Sequence, residues 1–185
     1  IRGCAQGMVE GGFHTPNHRW VLTSALALTA ELFPDLADSV LPTAEAYLAE
    51  TIDVNADGEF IERSTSVYNP VVDRALRLAA ESLPRPELLE PVRANLEMSF
   101  HLMHGDATVV TSVSSRQDRG ARVVPVGLAD SYYTLARRDN DGRFAAIADW
   151  LLANSPAGGS TWDLEPFLTH PEWRTGPEVE RAELE

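Results

Sequence analysis

Apolar positions recur at intervals of three and four residues over most of this chain, which predicts a mainly α-helical fold. From Trp20, the residues Leu22, Ala25, Leu26, Leu28, Ala30, Leu32 and Phe33 lie nearly all round one helix, so that helix is expected to be buried. Thr15 offers a cap for it, Pro16 suits its first turn and Pro34 stops it. Pro42 and Thr43 predict the start of a second helix through Ala46, Tyr47, Leu48 and Ile52. After a loop from Asp53 to Ser64, Asn69 and Pro70 repeat the cap-and-proline start. The helix they open carries Val71, Val72, Ala75, Leu76, Leu78, Ala79 and Leu83. Leu88, Leu89, Val92, Leu96, Phe100 and Met103 mark a fourth helix, despite Pro91.

The period then changes. Ala107 to Val113 and Arg122 to Val126 are rich in Val and Thr and predict two short strands, a β-hairpin around 107–126 joined by SSRQDRG. A short helix near Ser131 to Arg137 and a clearer one from Phe144 to Ala153 precede a loop at PAGGS. Helices of similar length joined by short proline-marked turns suggest antiparallel helical hairpins, set in a bundle, a solenoid or a toroid. Periodicity alone does not choose among the three, and no repeat is regular enough to define an array.

With 185 residues and 44% hydrophobic content the chain can bury one core, as a single domain or as part of a larger protein. It begins at Ile1, with no methionine and no basic-then-apolar leader, and reads as an excised segment. No window is apolar enough to span a bilayer, since even Trp20 to Leu32 is broken by Thr23, Ser24, Thr29 and Glu31. The single Cys4 excludes an internal disulfide and a cysteine-built metal site. A formal net charge of -13 opposes unspecific binding to nucleic acid or to an anionic membrane surface. Part of that charge lies in the tail from Gly176 to Glu185, which has little to pack and is expected to be solvated or disordered. The organised domain is therefore expected to span residues 1–175.

Four groups of residues could carry chemistry. In GFHTPNHRW, His14 precedes the helix cap while Asn17 and His18 lie in the first turn, beside unpaired backbone N–H groups that suit a carboxylate. The alternative is that these side chains only cap and pack. In DVNADGEFIERS, Asp53, Asn55, Asp57 and Gly58 fit the first half of a calcium loop. Ser64 stands where the closing bidentate acid belongs and Ile61 where a polar group does, so a turn rich in Asp, Asn and Gly is favoured over a calcium site. Tyr68, ahead of a helix start and near Arg63, is a candidate proton carrier. RQDR, Arg116 to Arg119, can offer paired guanidinium groups to a carboxylate or sulfate. No phosphate loop, dinucleotide fingerprint, nucleophile elbow or zinc-protease helix is present.

The order GFHTPNHRW, DGEFIERSTSVYN, a helix and then an arginine motif resembles the heparinase II/III-like polysaccharide lyases over about Gly11 to Arg119. The DGEFIER segment is also similar to one in hyaluronate and chondroitin lyases that leads through a histidine to a tyrosine; Arg63 holds that histidine position here. The resemblance implies part of an (α/α) toroid and β-elimination on an acidic, uronic-acid-containing polysaccharide, with no cofactor. It implies catalytic roles for Tyr68, Asn17, His14 and His18, and substrate-binding roles for Arg63, Arg116, Arg119 and Trp20. It also implies a further β-sheet domain, which does not fit in these residues, so the fragment is expected to be incomplete. Two other classes fit the same residues. One is a glycoside hydrolase on a helical toroid, with Asp57 and Glu62 flanking the bond. The other is a non-catalytic helical module that binds glycan or protein.

Overall fold

A computed structural model describes residues 2–156 and 161–184, and across them the chain is mainly helical, with eight α-helices and no strand. Residues 157–160, which hold most of the expected PAGGS loop, lie outside the described residues. The chain forms two compact units, residues 1–62 with 71–95, and residues 63–70 with 96–185.

The first unit opens with α1 (Ala5–Glu10), α2 (Pro16–Leu32) and α3 (Ala37–Ala49). A short 3-10 turn at Pro34–Leu36 folds α3 back on α2 as a helical hairpin, and α1 packs against both. Ala5, Leu26, Val40 and Ala44 form their buried core, with Met8, Val9, Ala30, Leu36 and Leu41 packed against it. Although α2 is apolar nearly all round, Val21 and Leu32 are exposed and one side is buried. Three hydroxyls of the buried side are satisfied within the helix: those of Thr23, Ser24 and Thr29 donate to the carbonyls of Arg19, Val21 and Ala25. The second helix starts at Ala37, upstream of the expected Pro42, which sits inside α3. Pro42 lies past the first turn, so it removes one intrahelical donor, the N–H that would meet the Asp38 carbonyl, and α3 keeps its place by packing on α2.

Two further helices follow, α4 (Tyr68–Ser82) and α5 (Leu89–His101). The cap of α4 comes from Ser64, whose Oγ accepts from Tyr68 N–H at 3.2 Å and whose carbonyl accepts from Asn69 N–H at 2.9 Å. Asn69, the expected cap, thereby moves into the helix, and Pro70 occupies the first turn without losing a bond. The buried face of α4 combines Val72, Ala75, Leu76, Ala79 and Ala80 with a polar row of Asn69, Asp73 and Arg77 at four-residue spacing.

In the second unit, α6 (Ala129–Asp139) and α7 (Gly142–Asn154) make another helical hairpin. Asn140 takes the left-handed conformation that ends α6, and the Asp141 carboxylate caps α7 by accepting from Arg143 and Phe144 N–H. Tyr132, fully buried, packs edge-on to Phe144 at 5.2 Å and donates its hydroxyl to Leu96 O at 2.5 Å. A short helix unanticipated by the hydrophobic pattern, α8 (Glu165–Thr169), packs on α6.

Residues 107–126 do not form the expected pair of strands. A single Met103–Val109 bridge, the Val109 N–H to Val123 O bond and the Thr111 hydroxyl on Ala121 O replace a ladder. The connecting loop is bonded through Asp118 to Ser66, which competes with regular strand pairing. The acidic tail also departs from expectation, because it lies against the α6–α7 hairpin. Val179 is buried, Arg137 donates to Pro177 O, Ala182 N–H donates to Gly142 O, and Arg181 pairs with Asp149.

Candidate functional site

The polar residues singled out from sequence fall into two assemblies, one in each unit. At the start of α2, Thr15 is extended and Asn17 is buried in the first turn. A carboxylate does occupy this helix N-terminus, as the exposed N–H groups and the helix dipole favour, and it is the protein's own. Glu62, also buried, accepts from Asn17 N–H at 3.2 Å and from Asn17 Nδ2 at 2.9 and 2.7 Å, while the same amide donates to Thr15 Oγ1 at 2.9 Å. The Asn17 amide is thus engaged within the fold, a correction to its expected role as an open substrate contact. His14 and His18 remain exposed, their rings edge-to-face at 6.3 Å.

Trp20 is 1% exposed with the Arg19 guanidinium 4.3 Å over its ring, so it is a core residue and offers no face to a ligand. Arg19, which the sequence reading passed over, anchors this corner. It pairs with Glu50 at 2.8 Å and with Asp53, and donates to Thr51 O at 3.1 Å. In the loop that follows, Asn55 Oδ1 accepts from the N–H groups of Asp57 and Glu59, and one bridge joins Val54 to Phe60. Asp53 and Asn55 are therefore spent on Arg19 and on the turn. No group of three or more His, Cys, Asp or Glu that could hold a metal occurs among the described residues. Of the two carboxylates a hydrolase would need, Glu62 is buried against Asn17 and Asp57 is exposed in the turn.

The second assembly joins two groups that the sequence kept apart. Tyr68, half-buried in the first turn of α4, accepts on its phenol oxygen from Gln117 Nε2 at 2.8 Å, and the Arg116 guanidinium lies 4.4 Å over its ring. The SSRQD loop is held there by Asp118, whose carboxylate accepts from Ser66 N–H, Ser66 Oγ and Ser114 Oγ. Burial by itself pushes the Asp118 carboxyl up. The hydroxyls of Ser114, Ser66 and Ser64 and the Ser66 N–H outweigh it and hold the group below the usual carboxylate range. Arg119 is exposed, and Arg63 is exposed with a left-handed backbone, φ 51°. Gln117 and Asp118 were legible only as part of RQDR; nothing local marks them as partners of Tyr68 and Ser66, about fifty residues away.

No known protein family, curated protein or solved structure matches the chain. No helix among the described residues is long and apolar enough to cross a membrane.

Proposed function

We propose that this protein is a polysaccharide lyase, heparinase II/III-like, that cleaves a uronic-acid-containing glycan by β-elimination, its helical hairpins forming part of an (α/α) toroid. One observation carries the reading: a half-buried tyrosine whose hydroxyl is oriented by Gln117 and whose ring is covered by the Arg116 guanidinium. β-Elimination needs such a combination, a proton carrier beside a fixed positive charge. The guanidinium neutralises the uronate carboxylate and so acidifies the adjacent C5 proton. The Tyr68 oxygen, as the phenolate, takes that proton, the C4–C5 double bond forms as the C4–O bond breaks, and the phenol passes the proton to the leaving oxygen, which restores the phenolate. Arg119 and Arg63 bind further acidic groups of the chain, offsetting locally the repulsion from a net charge of -13.

The test is the rise in ultraviolet absorbance from unsaturated uronide when the protein meets a panel of uronate polysaccharides. Tyr68→Phe keeps the ring and its guanidinium contact but removes the oxygen, and should lower product formation by about 100-fold or more with the fold unchanged. Absence of product across the whole panel sinks the reading.

A further inference from the structure

We propose that two grooves meeting at His104 form one binding site for an acidic glycan chain. The first, of about 640 Å³, is lined by Phe100, His101, Met103, His104, Trp150 and Leu184, with Gly105 at its edge. The second, of about 310 Å³, runs from His104 along Thr108–Ser112 and Gly120–Arg122. Both volumes lie in the range of small-ligand sites. His104 is exposed at the start of a tight turn, where its N–H donates to Thr108 O at 2.7 Å, and it lines both grooves.

Charge selects the ligand. The chain carries 28 Asp and Glu against 15 Lys and Arg, yet no carboxylate is among the described residues lining either groove, while His101, His104 and Arg122 are. Arg122 does pair with Asp106 through one nitrogen, but 78% of its side chain is exposed and a guanidinium has five donors to share. Each imidazole keeps at least one N–H donor in either protonation state. Phe100 and Trp150, both partly exposed, supply apolar ring surface of the kind that packs on the C–H faces of sugars. Basic donors beside aromatic rings in an open groove fit an acidic sugar better than a neutral one or an anionic membrane surface, which would need a broad basic face. The second groove is walled by both stems of the loop whose tip carries Arg116 and Gln117, so a chain lying in it follows the segment that holds Tyr68.

This inference deepens the lyase reading and rests on it for the ligand's identity as a uronate. Binding of a labelled uronate hexasaccharide is measured on the Tyr68→Phe protein, with the carboxyl-reduced hexasaccharide as the neutral probe. Arg122→Gln, at an exposed position, should weaken binding by about tenfold, the effect of losing one charged hydrogen-bond partner, and His104→Ala by about threefold, the effect of losing a neutral one. Trp150→Leu should weaken it as well, and the reduced sugar should bind poorly to every form. Equal binding by all the variants, or equal binding of the reduced sugar, overturns the proposal. Failure of the lyase reading is separable. A protein without turnover whose binding still depends on His104 and Arg122 keeps the site and loses the reaction. Turnover with an unchanged KM for polymer in the groove variants keeps the reaction and removes the site.

Discussion

Replacing Glu62 by alanine removes the acceptor for three hydrogen bonds from Asn17, one from its backbone N–H and two from its side-chain amide. Glu62 and Asn17 are 5% and 2% exposed, so solvent does not readily take the vacated place. A buried donor left without a partner costs about 1–3 kcal/mol. Two donor groups are affected, and the amide keeps its bond to Thr15 Oγ1, which moderates its share. Losing a negative charge at a helix N-terminus adds about 0.5 kcal/mol. The expected destabilisation is about 3 kcal/mol, which for a chain of this size lowers Tm by roughly 6–12 °C. Glu62→Gln retains one carbonyl acceptor and should lose about half as much. Thermal and urea unfolding at fixed pH measure both variants, and amide hydrogen exchange at His18 to Trp20 localises the effect to the start of α2. A loss below about 1 kcal/mol for Glu62→Ala would refute the reasoning. It would mean that water reaches the Asn17 donors, and that this helix start is an open anion site after all.

Gly58 has φ +88°, and an added Cβ would run into the Ala94 carbonyl on α5, where backbone cannot yield. Gly58→Ala should therefore cost about 3 kcal/mol in urea unfolding, and a neutral result would mean that the loop does not pack on α5. Gly142 faces the carbonyl of Glu180 in the tail, so Gly142→Ala should displace the tail and speed limited proteolysis after Gly176, with α7 intact by hydrogen exchange. An unchanged cleavage rate counts against the docked tail. Asp118 has a folded pKa below its unfolded one, so its stabilisation is full above the ordinary aspartate value of about 3.9 and fades as pH falls through the lower, folded value. The gap in urea midpoint between the parent protein and Asp118→Asn should accordingly be widest near neutral pH and close only well into the acid range. A gap independent of pH would contradict the assignment.

The helical frame was legible because its signals are local. Apolar spacing, the Thr15-Pro16 start and the stop at Pro34 act within one or two turns, and α2, α4, α5 and α7 follow from them. Tyr68 and RQDR were legible as residue types suited to chemistry, but their meeting was not. Local preference also mistook the cap of α4, since Asn69 and Ser64 are both good capping residues and only the path of the loop decides between them.

The sequence by itself marked the start of α2 as suited to a carboxylate, because unpaired N–H groups and a helix dipole favour an anion there, and left open whether the side chains only cap and pack. With 28 acidic residues to choose from, only the tertiary structure decided that it is Glu62. The same distinction holds for Trp20, whose residue type suits a sugar platform and whose position is in the core, and for Val109 and Val123, which prefer extended backbone but share a single bond. Residue type and spacing fix what a group can do. Which partner comes within hydrogen-bond reach depends on contacts between segments far apart in the chain, and no pattern of neighbours encodes that.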